Sequence, residues 1–350
     1  MTSESLARRP RREHPRNAGG AVIPSRPSVG FRRLAVWTAI LTYLLIVWGG
    51  IVRVSGSGNG CGTSDQWPLC HGSLLPAWQI NTLIEFTHRW IASVCTLLVI
   101  ILTVATWIWH RRQRRILVGT SVAAALFVVQ IVLGALAVEF NLPGGVVMIH
   151  LANALLLFGV LIYVAVVACT VGTAARGPSL SAALAPSVQR PVILAVVATY
   201  LVAVSGAFVV ETGSGGGCTS WPLCGSGFSL PTGQAATINV AHRVVALIVV
   251  LILGGLMAVI ARRRRGDRVV RTVVMAVNLL LVLQVAAGAL VVLLVLPAWA
   301  RGLHIALASL LWGAVVAVAV LTTLLVDEGA PAQATQRGDA LRPQAKVAQS

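Results

Sequence analysis

Seven histidines occur in the chain, and four of them, His88, His150, His242 and His304, stand at the entrances of long apolar stretches. His88 to His242 is 154 residues, and His150 to His304 is again 154, the latter two both in His-x-Ala-x-Ala-x-Leu. A polar side chain in such a stretch is a functional candidate, because burying it in hydrocarbon costs free energy. Two imidazoles on facing helices of a four-helix bundle suit the two axial positions of a heme iron. Zinc would want further Cys, Asp or Glu donors, and each pair offers few. The plain alternative is a histidine hydrogen-bonded within the bundle, and two pairs at matched spacing weigh against it. His14, His71 and His110 fall in a polar tail, an outer loop and a basic inner loop.

Glu85 is the only acidic residue well inside one of these stretches, three residues before His88 and so on the same helix face as that histidine, with Asn81 and Cys95. Asn239 takes its place in the other half, so the two histidine pairs sit in chemically different surroundings. A carboxylate beside a heme in a low-dielectric site can act as acid or base or stabilise a cation. Its plain alternatives are a pair with Arg89 or a helix cap. Arg89 and Arg243 follow their histidines directly and are candidate contacts for heme propionates. The competing reading is an interfacial anchor whose head snorkels to the lipid headgroups. Arg53 and Arg301 are weaker candidates for the same role, and Glu139 and Glu211 are read as interfacial. Cys61 and Cys70 lie in one outer loop and Cys218 and Cys224 in another, each loop ending in Trp-Pro-Leu-Cys. Facing an oxidising compartment, each pair is expected to close a disulfide. Structural clamp and redox pair both remain open, Cys61–Cys70 being the better redox candidate because it shares a half with Glu85. Cys95 and Cys169 are read as packing residues.

The elements that must position these groups follow from composition. The chain has 350 residues, 57% of them hydrophobic and 11% charged. Soluble domains carry about 25% charged residues, so this is the composition of a polytopic membrane protein. Eight stretches reach the roughly 20 apolar residues that cross a bilayer: Leu34 to Val54, Asn81 to Ile108, Ile116 to Val138, Val146 to Val171, Val192 to Val210, Ile238 to Ile260, Val269 to Leu296 and Leu303 to Val326. None alternates as barrel strands do, so an all-α integral membrane protein with eight transmembrane helices is expected. Of 27 Lys and Arg, 23 fall in alternate loops and the two tails, and only Arg53, Arg89, Arg243 and Arg301 fall on the other side. Both termini and the basic loops are therefore expected in the cytoplasm, with the histidines toward the outer face. Charge that alternates with the spans also argues against nucleic acid as the reason for the net +17.

The 154-residue offset recurs at Gln130/Gln284, within Gln-x-x-x-Gly-Ala-Leu-x-Val, and at Cys70/Cys224. The chain thus reads as a duplicated four-helix unit. Four is even, so the copies point the same way, related by a pseudo-two-fold axis along the membrane normal. The expected organisation is a basic cytoplasmic tail over residues 1–33 and a first bundle over 34–171. A cytoplasmic linker follows over 172–191, then a second bundle over 192–326 and a disordered cytoplasmic tail over 327–350. The first apolar stretch reads as a signal anchor, not a cleaved signal peptide.

Glu85-x-x-His88-Arg89, His150, His242-Arg243, His304, the two Trp-Pro-Leu-Cys loops and the duplicated eight-span plan together resemble heme A synthase, in its bacterial form with paired cysteines, over about residues 30 to 326. The resemblance implies oxidation of the C8 methyl of heme O to a formyl group, through a hydroxymethyl intermediate, to give heme A for a terminal oxidase. It implies a substrate heme held by His88 and His150 in the first bundle, and a heme B cofactor held by His242 and His304 in the second. Glu85 matches the family's catalytically important carboxylate. Heme O synthase is the implied substrate donor, cytochrome oxidase assembly the product acceptor, and a quinone or another group the electron partner; a homo-oligomer in the cell membrane is compatible with all of this.

Three other readings compete. A di-heme electron carrier of the quinol-cytochrome type uses the same histidines but gives Glu85, present in one half only, no task. A repeat-built transporter interrupts helices near the midplane with Gly or Pro, whereas Pro here is expected only in loops. A prenyltransferase that makes heme O needs Asp-rich motifs, and the spans contain no Asp.

Overall fold

The structure, a computed structural model, describes residues 26–62, 69–73, 76, 78–171, 186–225, 231–263, 266 and 268–324. The expected basic tail up to residue 25, most of the linker and the C-terminal tail lie outside these residues, as do His14, Trp67 and Pro68.

Eight helices carry the chain: α1 Val29–Ser55, α2 Ile80–Ala105, α3 Arg114–Glu139, α4 Gly144–Thr170, α5 Pro186–Glu211, α6 Gln234–Arg263, α7 Arg268–Leu293 and α8 Ala298–Ala319. Each is long and apolar enough to cross a membrane, and no strand is present among the described residues. In hydrocarbon every backbone N–H and C=O must be satisfied within the segment, which is why apolar runs of this length fold as helices. Large apolar side chains such as Trp37, Leu97, Val128, Leu251 and Val282 stay exposed along them, as a lipid-facing surface requires. The protein is a multi-pass membrane protein.

Two expectations are corrected. Pro is not confined to loops, because α5 begins at Pro186 and carries Pro191 inside it. Only one backbone N–H is lost there, near the helix start. And α8 begins at Ala298 instead of Leu303, so His304 stands within the helix, not at its mouth.

Helices α1 to α4 contact one another in a ring, α1 with α2, α2 with α3, α3 with α4 and α4 with α1. Helices α5 to α8 do the same, and the rings meet through α1–α8, α4–α5 and α4–α8. At the α4–α8 crossing the contacts are reciprocal. A Cβ on Gly159 would lie 3.0 Å from the Trp312 ring, and one on Gly313 would lie 2.8 Å from the Phe158 ring. The Tyr43 hydroxyl donates to the Ala306 carbonyl at 3.3 Å, and the Tyr200 hydroxyl donates to the Ala152 carbonyl, also at 3.3 Å. The Trp312 indole adds a buried bond to the Leu155 carbonyl at 2.8 Å.

The turns before α4 and α8 are built alike. Asn141 and Leu142 have φ of 58° and 60°, Val295 and Leu296 of 59° and 63°, and a proline follows each pair. This region is sterically costly for residues with a Cβ. Backbone bonds and packing hold it: the Leu142 and Leu296 N–H groups donate to the Ala137 and Val291 carbonyls at 2.6 and 2.8 Å, Leu142 lies against Gly58, and Leu296 lies 3.5 Å from a Cβ placed on Gly215. These two turns set where the histidine-bearing helices begin.

Candidate functional site

His88 and His242 each stand eight residues past the first residue of α2 and α6, and His150 and His304 each six residues past the first of α4 and α8. At 1.5 Å per residue the four lie within about 3 Å of one depth. All four rings are partly buried. His88 lies within electrostatic reach of His150, and His304 within reach of His242, so the structure brings together the two expected pairs.

Each ring packs on a glycine of the preceding helix. A Cβ on Gly49 of α1 would lie 3.1 Å from His88 Cε1, one on Gly134 of α3 would lie 3.3 Å from His150 Cε1, one on Gly206 of α5 would lie 3.1 Å from His242 Cε1, and one on Gly288 of α7 would lie 3.0 Å from His304 Cε1. The notches leave no room for a side chain and keep each imidazole close to the neighbouring backbone. Gln130 and Gln284 bring their Nε2 atoms to the Nε2 atoms of His150 and His304, at 3.2 and 3.3 Å. Gln130 Oε1 accepts from Asn153 Nδ2 at 2.7 Å, whereas the buried Gln284 Oε1 has no partner. The Nδ1 atoms of His88, His150 and His304 are buried and unpartnered; His242 Nδ1 lies 2.8 Å from the Ser205 hydroxyl.

Sequence reasoning missed the four glycines, Ser205 and Asn153. The glutamine and glycine before each fourth-span histidine were visible as repeat positions, Gln-x-x-x-Gly, without a role. The signal for the rest lay in a second offset. Thr42-Tyr43 and Thr199-Tyr200 are 157 residues apart, as are Gly49 and Gly206 and Cys61 and Cys218. Because the second cysteine loop is shorter, this offset changes to 154 at Cys70 and Cys224.

Glu85 is 4% exposed. Its Oε2 accepts the Cys61 backbone N–H at 2.9 Å, and its Oε1 accepts the Arg89 Nε–H at 3.1 Å and a second bond from Arg89 Nη2. The carboxylate therefore has the partner that the plain alternative expected, and a second one in the cysteine loop. Asn239, its counterpart, is also buried but donates, from Nδ2 to the carbonyls of Ser214 and Gly215 at 3.0 and 3.1 Å. One half thus presents a hydrogen-bond-accepting carboxyl group at this point and the other a donating amide.

Arg89 and Arg243 hold the cysteine loops. Arg89 Nη1 donates to the Leu69 carbonyl at 2.6 Å. Arg243 donates to the carbonyls of Ser220, Pro222 and Cys218 at 2.6 to 3.1 Å. Arg53 forms a two-pronged pair with Glu211, at 3.0 and 2.8 Å, joining the end of α1 to the end of α5, and Arg301 donates to the Val54 carbonyl at 3.0 Å. Cys61–Cys70 and Cys218–Cys224 are disulfides, and Cys95 and Cys169 are free thiols. Among the described residues, no three or more of His, Cys, Asp and Glu gather as a metal site, so each pair offers two imidazole donors.

An eight-span helical membrane protein with paired, glycine-backed histidines is the class these features define. The family model for COX15-CtaA, cytochrome oxidase assembly protein, matches residues 32–316. Among curated proteins, the heme A synthase of Symbiobacterium thermophilum is 33% identical over 300 residues, 83% of this chain and 95% of that protein. The heme A synthase of Shouchella clausii is 31% identical over 304 residues, 84% and 97% of the two chains. That of Macrococcus caseolyticus is 30% identical over 284 residues, 80% and 93%. The chain belongs to the COX15-CtaA family of cytochrome oxidase assembly proteins.

Proposed function

We propose that this protein is a heme A synthase that oxidises the C8 methyl of heme O to a formyl group, through a hydroxymethyl intermediate. The observation that carries the reading is Glu85: a buried carboxylate one helical turn from His88, where the other half has Asn239. Supporting it are relatives named heme A synthase that match nearly their full length.

The histidine environments fit heme. Heme iron would take its protein ligands from imidazoles, and His88 with His150 and His242 with His304 are the residues that would hold it. Four glycine notches keep the rings close to the neighbouring helices, and the buried Nδ1 atoms of His88, His150 and His304 have no partner, so each of these three rings keeps a nitrogen that the bundle does not use. In this reading residues 34–171 form the substrate bundle, with His88 and His150 for heme O. Residues 192–326 form the cofactor bundle, related to the first by a two-fold axis along the membrane normal, with His242 and His304 for heme B. Bound heme would supply one-electron redox chemistry, passing on to a quinone or another acceptor the four electrons that the methyl gives up as it becomes a formyl group with an oxygen from water. Glu85 accepts a proton released as the methyl is oxidised, or stabilises positive charge developing there. Arg89 keeps Glu85 oriented, and the Cys61 N–H keeps its second oxygen aimed at the loop. Arg89 and Arg243 are the residues that would meet the heme propionates. The sites face outward with both termini in the cytoplasm. A heme O synthase delivers the substrate and cytochrome oxidase assembly receives the product.

The test is chromatographic identification of hemes from membranes of cells that make heme O, with the intact protein, with Glu85→Ala and without the protein. Heme A with the intact protein, and its loss or a stall at the hydroxymethyl stage with Glu85→Ala, supports the reading. Heme B alone, with heme O unaltered, overturns it in favour of an electron carrier.

A further inference from the structure

The two second-span histidines are held differently. On the 157-residue offset that aligns α1 with α5, Gly49 matches Gly206, so Trp48 matches Ser205. The Ser205 hydroxyl donates to the Val202 carbonyl at 2.8 Å, one turn back in its own helix, and lies 2.8 Å from His242 Nδ1. A hydroxyl has a single proton. With that proton on Val202, the oxygen is free to accept from His242 Nδ1–H, the tautomer that leaves Nε2 with a bare lone pair. Trp48 makes no such bond. Its indole N–H donates to the Ile84 carbonyl at 2.9 Å, bracing α2 itself, and His88 Nδ1 is left buried and unpartnered. The fourth-span histidines do not make this distinction, since each meets its glutamine through Nε2 and leaves Nδ1 unpartnered.

We infer that Ser205 is a positioning residue that presets His242 as a fixed iron ligand, and that the substitution of Trp48 at the matching place leaves His88 a displaceable one. The inference rests on the heme reading above. Its physical basis is general: a ligating imidazole that donates its other N–H is fixed in tautomer and orientation and becomes a stronger donor. A ring without that bond turns more freely and binds iron less firmly. A retained cofactor needs the first arrangement. A heme that enters as substrate and leaves as product needs the second. Ser205 therefore separates the cofactor pair from the substrate pair by a hydrogen bond, independently of Glu85.

The experiment uses the purified full-length chain loaded with heme and follows heme transfer to excess apomyoglobin, together with heme midpoint potentials. His88→Ala and His242→Ala each remove one release phase and so assign the two. The phase assigned to His242 is the slower in the unmodified protein. Ser205→Ala speeds that phase tenfold or more, the usual effect of losing an outer-shell partner. It also moves that heme's potential positive, because a weaker imidazole donor favours the ferrous state, and it leaves the other phase unchanged. Ser205→Thr restores both readings. Ser205→Cys, nearly the same size with a weak acceptor, gives the alanine result if the alanine variant does not accumulate. Release and potential unchanged in Ser205→Ala, with both phases still assignable, overturn the role of Ser205 and leave the heme reading standing. An unmodified protein that takes up no histidine-dependent heme overturns the heme reading and this inference with it.

Discussion

Glu85 and Asn239 occupy matching positions in helices of matching depth, yet one accepts from its cysteine loop and the other donates to it. Replacing Glu85 by Gln keeps the volume and removes the charge. Heme A formation in membranes is expected to fall by about 100-fold or more, the range of general acid–base catalysis, with histidine-dependent heme binding retained. The ion pair predicts a different effect on stability. The side chains of Glu85 and Arg89 are 5% and 14% exposed. Arg89→Met strands a buried carboxylate and is expected to cost on the order of 3 kcal/mol. Glu85→Gln combined with Arg89→Met is expected to cost less than Arg89→Met alone, which unfolding in a double-mutant cycle checks. The residue types of this cluster are legible in the sequence. The tie between Glu85 and Cys61 is not, because the bond runs to a backbone N–H 24 positions away, and backbone donors carry no sequence signature.

At the scale of elements, the glycines on the odd-numbered helices govern how closely each histidine helix approaches. Gly288→Val drives a branched side chain into the His304 ring, and heme stoichiometry of the purified protein is expected to fall from about two to about one. Gly254→Ala in α6 is the control. Nothing lies within 4 Å of a Cβ there, so stability is expected to rise by up to about 1 kcal/mol, as for a helical Gly→Ala change without a clash. The cysteine loops predict an asymmetry of their own. Cys61 is disulfide-bonded and donates to Glu85, whereas the Cys218–Cys224 loop reaches Arg243 only through carbonyls. Cys61→Ser with Cys70→Ser is therefore expected to lower heme A formation more than Cys218→Ser with Cys224→Ser, when each is normalised to protein in the membrane.

For the whole molecule, the seam between the two rings rests on packing more than on polar bonds. Interhelical hydrogen bonds in membranes average about 0.6 kcal/mol. Tyr43→Phe and Tyr200→Phe, each losing one bond across the seam, are expected to cost about that much, and a double variant that departs from the sum reports coupling through Phe158 and Trp312, on which the two tyrosines pack. Gly313→Leu is different in kind. It forces Phe158 out of its place at the α4–α8 crossing, and overpacking of this sort costs about 1–3 kcal/mol. Unfolding in detergent titrations measures all of these. The Arg53–Glu211 pair crosses the same seam at the outer edge, but the Arg53 side chain is 41% exposed, and an exposed pair contributes about 0–1 kcal/mol.

The sequence by itself determined the class of fold and singled out the residues that gather at the candidate site. A bilayer forces apolar runs of this length to be helices, and histidines, cysteines and glutamines recur at a constant offset. These signals are local or periodic, so they can be read along the chain alone. Helix starts were less legible, because Pro191 and the turns before α4 and α8 are held by packing against other elements. Only the tertiary structure decided which groups meet. It placed a glycine behind each imidazole, joined Glu85 to the cysteine loop, linked Arg53 to Glu211 across the two rings, and gave Ser205 to His242 while leaving His88 without an equivalent. Each of these depends on residues from separate helices approaching within a few ångströms, a distance set by how the helices pack.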